Sequence, residues 1–349
     1  MKITRRQFVQ VMAVAGASAL LTACGGSSGS TAGSGAAAAT GGNFNLKLGH
    51  NLAEDHAVHI QLTSFAEQVK EKTGGSVNIQ IIPNGTLGSE ADMISQIQAG
   101  ALDMAKVSAS TLGNFSEKYN AFSVPYVFDD QAHYYSYMDS DSAKAVFEST
   151  DDQGFRGLTW LDSGARSFYT KATAIRTPAD LKGLKIRVQD MKSQTDMMNY
   201  LGGIPVAMSY GDVYTSLQTG IIDGTENNET ALTTGKHGEV CKVYSVDQHA
   251  MIPDVLIMSE KVWKQISPED QEIILEAAHN STEAHKVMWD TAIDEAVKEA
   301  QETMGVEFVY DVDKEAFREA TQPMIEAYEN EYPGVKTLMD TIEAAREGE

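Results

Sequence analysis

The sequence contains few cysteines, few arginines and no long apolar segment. Its two cysteines in 349 residues are Cys24 and Cys241, and Cys24 lies in an N-terminal leader described below. The single remaining cysteine excludes an internal disulfide and a thiolate metal cluster. Only six arginines follow residue 23, so the position of each one is informative. No segment after the leader has the roughly 20 apolar residues that a membrane-spanning helix needs.

Positive charge is scarce along the whole chain, which has 27 basic and 49 acidic residues. Three of the basic residues lie in the leader, so the remainder carries a net charge of 24 − 49 = −25. A body of this charge repels anionic membrane surfaces and nucleic acid, and we expect no nucleic-acid partner. The charge favours solubility, and an anionic ligand would require a local positive pocket.

The first 23 residues are interpreted as a signal peptide. Lys2, Arg5 and Arg6 form a basic start, and the apolar run that follows over residues 8–21 is too short to span a bilayer. The run ends in LTAC at 21–24, which is similar to a bacterial lipobox, so we predict that Cys24 is lipidated. Residues 4–8 match a twin-arginine signal in part, which leaves the export route open.

Residues 25–43 consist mainly of glycine, serine and alanine, a composition typical of a flexible tether. We therefore predict a lipidated cysteine and linker over 24–43, and a globular body from residue 44. This body would lie outside the cytoplasm, anchored to the cell membrane. The 349 − 23 = 326 residues that remain after the leader predict two domains or one large one.

Short strand and helix patterns alternate along the body, which predicts an α/β fold with sheets covered on both faces. Strands are predicted at 44–49, 77–82, 102–107, 157–161, 167–170, 184–188, 221–223 and 255–258, and helices at 54–72, 89–99 and 209–218. A longer helix begins at Ser267-Pro268 and meets no further proline or glycine before Gly305. With about 35 residues it would be about 50 Å long, so we expect it to lie across two domains.

Six motifs give the body a family resemblance. They are IPNGTLGSE at 82–90, QAGALDM at 98–104, VPYVFDD at 124–130, TPADLKGLKIRV at 177–188, VYTSLQTGIIDGTENN at 213–228 and SEKVWKQISPEDQ at 259–271. In this order they resemble the solute-binding proteins of TRAP (tripartite ATP-independent periplasmic) transporters, over nearly all of residues 45–330.

The resemblance implies a two-lobed, periplasmic-binding-protein-like fold, with a central ligand cleft and a long helix that bridges both lobes. We predict lobe I at 44–163 plus 253–292, and lobe II at 164–252 plus 293–349. The expected partners are a small organic acid and the small and large membrane subunits of the transporter. We expect a monomer without cofactor, metal or catalytic residues.

The resemblance also implies a carboxylate-binding site. Arg187 stands in the KIRV motif, where the family has its carboxylate-clamping arginine, and its planar guanidinium suits that role. Arg166 matches a second cleft arginine and Asn227 a cleft asparagine. The residues alone also allow both arginines to be ordinary surface charges.

Other candidates rest on weaker signals. They are Asn51 and His56 after the first strand, Glu90, Ser108, Tyr210, Asn228 and His249. Glu90 could instead be a helix-start charge, Tyr210 a core residue and His249 a structural histidine.

The strings DSGARSFY, IRVQ and ENN are similar to a subgroup that binds sugar acids such as D-glucuronate and D-galacturonate. Glu229 departs from that subgroup, which often has tryptophan there, and could remove a stacking wall for the sugar. Binding of a C4-dicarboxylate or another carboxylate remains the alternative.

Two further function classes compete with solute transport. An extracellular hydrolase would require a catalytic constellation, and the sequence has no G-x-S-x-G, HExxH or phosphate-loop motif. A ligand-sensing subunit that reports to a receptor stays open, because nothing in the sequence separates it from a transporter subunit.

Overall fold

The structure is a computed structural model that describes residues 43–346. The predicted leader, Cys24 and most of the linker lie outside the described residues. Within them the chain forms two mixed β-sheets with helices on both faces, so the predicted α/β class is confirmed. None of the helices in this range combines the length and the apolar character that crossing a membrane requires.

The strands are β1 Phe44–Gly49, β2 Val77–Ile82, β3 Met104–Ser108, β4 Phe155–Leu161, β5 Ala165–Thr170, β6 Lys185–Val188, β7 Ile204–Ala207, β8 Gly224–Asn227, β9 Val243–Met251, β10 Asp254–Ser259 and β11 Glu307–Val309. The helices are α1 Ala57–Lys72, α2 Glu90–Ala99, α3 Ala109–Leu112, α4 Gln131–Met138, α5 Asp141–Glu148, α6 Lys192–Tyr200, α7 Val213–Thr219, α8 Thr230–Thr233, α9 Glu260–Trp263, α10 Pro268–Glu302, α11 Lys314–Glu331 and α12 Pro333–Ala345.

The first sheet has the strand order β2-β1-β3-β10-β4, and the second has β11-β9-β5-β8-β6-β7. Each sheet separates two apolar clusters. Along β10, Val255 and Ile257 pack on one face, and Leu256 and Met258 pack on the other. This alternation follows from the period of two of a strand, and it explains why β10 is apolar at every central position.

The long helix α10 has 35 residues, as predicted. Ser267 caps its start by accepting a hydrogen bond from the backbone of Asp270. Near its start, Ile274 packs in the apolar cluster of the first sheet, while Ala300 near its end packs in a cluster of the second sheet. The helix therefore bridges the two lobes.

Two sequence predictions about the lobes and strands differ from the structure. Residues 221–223 are not a strand, because Gly220 at φ 77° ends α7 and the next residues turn into β8. Helix α12 falls in the segment predicted for lobe II but packs on lobe I. Its Val335 and Ile342 belong to a cluster of the first sheet, and the Ile342 carbonyl lies 2.7 Å from the His133 ring.

The chain passes between the sheets next to the strand ends. Residues 162–164 connect β4 to β5, and residues 252–253 connect β9 to β10. In the first sheet, Asp254 at the start of β10 is in register with Ser108 at the end of β3. These strand ends, together with those of β6 and β8, face one region of the molecule, where the candidate site lies.

Candidate functional site

A cleft of about 410 Å³ lies at these strand ends, which is the usual position of ligands in α/β sheets. Nine of the ten binding residues predicted from the sequence line this cleft. The fold thus brings together residues that are far apart in the chain. They are Asn51, His56, Glu90, Ser108, Arg166, Arg187, Tyr210, Asn227 and Asn228.

His249 is the exception and does not line the cleft. It is fully buried, with its ring stacked on Phe168 and its Nδ1 atom 2.7 Å from Asp247 Oδ2. Its Nε2 atom lies 3.5 Å from the Glu226 carboxylate. Burial disfavours the charged ring, but Asp247 and Glu226 outweigh it and raise the pKa of His249 to about 9. The prediction that His249 contacts the ligand is therefore corrected. His249 instead supports Asp247 and Glu226 behind the cleft.

Arg187 is a buried cation in the wall of the cleft. It lies in β6, where Ile186 and Val188 pack in the core on the opposite face, and it is 3% exposed. Its Nε and Nη2 atoms donate to the carbonyl oxygen of Met208, at 3.0 and 2.8 Å. Among the described residues no carboxylate forms an ion pair with it. Burial, only partly offset by Glu226, lowers the pKa of Arg187.

Arg166 is a different kind of cation, because it is already paired. Its Nε donates to Glu226 Oε2 at 2.5 Å and its Nη2 to Glu226 Oε1 at 3.0 Å, while Nη1 donates to Asn227 Oδ1 at 2.9 Å. Burial opposes ionisation of Glu226, but Arg166 and His249 lower its pKa to about 2. The guanidinium is therefore neutralised inside the protein and orients Asn227.

Asn227 is held by its oxygen, which accepts from Arg166 and from the backbone of Asn228. Its Nδ2 group has no partner in residues 43–346 and can donate to a ligand. Asn228, in contrast, uses both its amide nitrogen and its amide oxygen within the protein. It donates to Ser163 O at 2.7 Å and accepts from the Thr230 backbone and hydroxyl.

His56 continues this network from the other lobe. Its Nε2 lies 3.1 Å from the Thr230 hydroxyl, and its Nδ1 accepts from the Val58 backbone as the cap of α1. Burial and the nearby charge of Lys106 lower the pKa of His56 to about 3, so the ring is neutral. Both ring nitrogens are engaged by the protein, which makes His56 a link between the lobes at the edge of the cleft.

Glu90 is the first residue of α2, whose start is fixed by a capping box between Ser89 and Asp92. Its carboxylate accepts four hydrogen bonds, from Asn51, Lys106, the Ser108 backbone and Thr111. A role of Glu90 as a simple helix-start charge does not account for these four hydrogen bonds, because the carboxylate holds together one wall of the cleft.

The sequence analysis missed two charged residues in this wall. Lys106 Nζ lies 3.0 Å from Asp254 Oδ2 and 3.3 Å from Glu90 Oε1, and Lys106 is 2% exposed. Burial disfavours its charge, but Asp254 and Glu90 raise the pKa of Lys106 above its usual range. The available signal was a charged residue inside the apolar strand MAKVS, and another at the start of DVLIMS.

Three polar residues complete the cleft. Gln189 donates to the Ser108 hydroxyl at 3.1 Å and so connects the lobes across it. Tyr210 lines the cleft and packs 5.5 Å from the ring of His237, and it is only partly buried, outside the apolar clusters. The Oδ1 atom of Asn51 is buried without a hydrogen-bond partner in the described part of the chain.

Glu229 lies outside the cleft. It lines a separate cavity with Asp162, Gly164 and Trp289, and burial raises its pKa to about 7. The departure at Glu229 from the sugar-acid subgroup therefore removes no wall of the cleft in this structure.

Comparison with known proteins supplies the family. The model of the family described as bacterial extracellular solute-binding protein, family 7, matches residues 48–331. A solute-binding protein of Chromohalobacter salexigens is 33% identical over 285 residues, which is 82% of this chain and 84% of that protein.

Two solved structures are also similar. A TRAP periplasmic solute-binding protein of Anaerococcus prevotii, with bound D-glucuronate, is 39% identical with a TM-score of 0.85, covering 87% of this chain and 99% of that one. One from Sulfitobacter, with bound β-D-galacturonate, is 34% identical with a TM-score of 0.82, covering 85% and 98%. The sequence motifs, the two-lobed fold and these matches agree, and the chain belongs to family 7 of the bacterial extracellular solute-binding proteins, the solute-binding components of TRAP transporters.

Proposed function

We propose that this protein captures a small sugar acid, D-glucuronate or D-galacturonate, in the cleft and delivers it to the membrane subunits of a TRAP transporter. The observation that carries the proposal is the state of Arg187. It is a buried guanidinium with no carboxylate partner among residues 43–346, and it lines a cleft of ligand size. A ligand carboxylate would supply the missing counter-charge with two parallel hydrogen bonds.

The rest of the cleft supports a hydroxylated ligand. Asn227 Nδ2 can donate, and Asn51 Oδ1 can accept, without disturbing hydrogen bonds within the protein. The relatives from Anaerococcus and Sulfitobacter hold hexuronates, which favours the same class here over the C4-dicarboxylate alternative.

The test is calorimetric titration with D-glucuronate, D-galacturonate, D-glucose, D-galactose and succinate. We expect micromolar or tighter binding of at least one uronate, and far weaker binding of the neutral sugars, because these lack the carboxylate. Tight succinate binding without uronate binding would contradict the sugar-acid ligand and leave the TRAP family assignment intact.

We propose further that the protein is exported, processed at Cys24 and held at the membrane by lipid, and that it acts as a monomer without enzymatic activity. The LTAC motif and the glycine-rich linker after it support the anchor. Contact with the transporter's membrane subunits requires export, and the anchor would keep the protein close to them.

A further inference from the structure

The charges that line the cleft are unevenly balanced. The three cations are Lys106, Arg166 and Arg187. Arg166 is paired with Glu226, and Lys106 is shared between two carboxyl groups, those of Glu90 and Asp254. Arg187 is therefore the one lining cation in the described part of the chain that lacks a carboxylate. The described lining thus has one cation without a counter-charge, which matches a single anionic group of the ligand.

The wall around Lys106 presents hydrogen-bond acceptors. Both Glu90 oxygens are already occupied by donors of the protein. Asp254 uses Oδ2 for Lys106, and its Oδ1 has no hydrogen-bond partner in residues 43–346. Asn51 donates to the Glu90 carboxylate, which can only accept, so the amide orientation is fixed and its unpaired Oδ1 is a true acceptor.

Acceptors discriminate between two ligand groups of similar size. A hydroxyl can donate a hydrogen bond to Asp254 Oδ1 or Asn51 Oδ1, whereas a carboxylate can only accept. A second carboxylate at this wall would lie next to the carboxyl groups of Asp254 and Glu90, and acidic groups in a partly buried site repel one another. Lys106 cannot offset this repulsion, because it lies within 3.0 and 3.3 Å of both carboxyls already.

We infer that Asp254 and Asn51 restrict the cleft to sugar acids with one carboxylate and exclude the corresponding diacids. The inference rests on the proposed function and adds the substrate class: uronates and aldonates are accepted, and aldarates are rejected. Asp254 acts as a specificity residue that reads the end of the ligand distant from the carboxylate held by Arg187.

The experiment compares D-galactonate with galactarate by calorimetry, with D-galacturonate as reference. The first two are open-chain acids that differ by one carboxylate, so ring shape does not enter the comparison. We expect wild-type protein to bind D-galactonate at least 100-fold more tightly than galactarate. Asp254→Asn should reduce this ratio at least tenfold, mainly by tighter galactarate binding.

Asp141→Asn is the matched control, because Asp141 is solvent-exposed at the start of α5 and lies outside the cleft, so its charge is screened. This control should leave the ratio within threefold of wild type. Circular dichroism verifies folding of both variants, and the wild-type ratio tests the inference even if Asp254→Asn does not fold.

The outcomes separate the two proposals. If D-galactonate and galactarate bind wild-type protein equally well, the inferred selectivity for one carboxylate is wrong and the sugar-acid function stands. If Asp254→Asn folds and keeps the wild-type ratio, Asp254 is not the specificity residue. If no sugar acid binds, the proposed function and the inference both fail.

Discussion

A buried guanidinium without a carboxylate is costly in the empty protein, and this cost can be converted into ligand affinity. In Arg187 two N–H groups are satisfied by the Met208 carbonyl, which holds the guanidinium plane in place. The remaining donors face the cleft and gain their strongest partner only when a carboxylate binds. The net charge of −25 over the rest of the chain provides no attraction that could replace this contact.

We expect Arg187→Lys to weaken binding of the cognate sugar acid by about 2–5 kcal/mol, because a lysine keeps the charge and loses the planar fork. This corresponds to roughly 30- to 5,000-fold in Kd. Calorimetry measures the effect, with circular dichroism as a check of folding. Arg176→Lys is the control, since Arg176 is exposed and paired with Asp311 outside the cleft. A folded Arg187→Lys protein that binds within threefold of wild type would refute the clamp.

Two buried groups behind the cleft, His249 and Glu226, make the free energy of unfolding dependent on pH. His249, with its folded pKa raised to about 9, contributes stability fully below its unfolded pKa of about 6.5. This contribution is lost as the pH rises through 9. Glu226 has its pKa lowered to about 2, so its contribution is present above an unfolded pKa of about 4.3 and is lost as the pH falls toward 2.

Urea denaturation of wild type and His249→Gln at pH 6 and pH 9.5 tests this prediction. The free energy of unfolding of wild type minus that of His249→Gln should be larger at pH 6 than at pH 9.5, by about 2–3 kcal/mol, because glutamine does not titrate. Comparison with the variant cancels the titration of groups elsewhere in the chain. An advantage that is constant with pH would show that His249 is neutral in the folded protein.

The sequence allowed a residue to be assigned to the cleft only where the residue stands in a motif of the family. Arg166 and Asn227 were found because of the family resemblance, whereas hydropathy alone could not separate them from surface residues. Lys106 and Asp254 lie 148 positions apart and meet only because β3 and β10 are antiparallel neighbours. The pairing of distant strands is not encoded in local patterns, so this part of the site could not be predicted.

At the scale of elements, strands with apolar alternation and the uninterrupted helix α10 were predictable, because their patterns are local. The longest strand, β9, was missed. Its Ser245, Asp247 and His249 are polar yet fully buried, and each forms a hydrogen bond inside the protein. A strand with a buried polar face has no hydropathy signal, and its His249 lies 3.5 Å from the Glu226 carboxylate behind the cleft.

The connection between β4 and β5 contains Gly164 at φ 67°, a conformation that favours glycine. A Cβ atom there would lie 3.2 Å from Asn228 Cβ and 3.3 Å from the Trp289 ring. We expect Gly164→Ala to lower the free energy of unfolding by about 2–3 kcal/mol, from backbone strain plus crowding. Gly183→Ala is the matched control, because Gly183 has φ 82° with open space around it. It should cost about 1 kcal/mol.

Denaturant titration of the two glycine variants measures the difference. Equal losses in both would mean that Asn228 and Trp289 move aside at no cost, and that the connection between the lobes is loosely packed.

At the scale of the whole molecule, the net charge of −25 opposes spontaneous attachment to an anionic membrane, so location depends on the predicted lipid at Cys24. Cys24→Ser should therefore release the protein from the membrane fraction, or leave the unprocessed precursor. Fractionation with metabolic lipid labelling measures both results. Lipid labelling of the variant at the wild-type level would contradict the assignment of Cys24.

The hydrogen bonds that join the two lobes at the cleft connect neutral groups, as His56 and Thr230 do. Gln189 donates to the Ser108 hydroxyl at 3.1 Å, and Asn114 donates to the Asp190 carbonyl at 3.0 Å. Neither bond involves an ion pair, and a hydrogen bond of this kind contributes only about 0.5–1.5 kcal/mol. The empty protein should therefore populate open forms, and a ligand held by groups of both lobes should shift the population toward closure.

Small-angle scattering tests this prediction. The radius of gyration of wild-type protein should decrease when the cognate sugar acid reaches saturation, because the ligand carboxylate binds Arg187 of one lobe while its hydroxyls reach the Asp254 wall of the other. Gln189→Ala should enlarge the radius of gyration of the empty protein, because the substitution removes one contact across the cleft. The radius of this variant should then decrease more than that of wild type when ligand is added. Arg187→Lys at the same ligand concentration serves as the unsaturated control. An unchanged radius in wild type at saturation would mean that binding occurs without closure of the lobes.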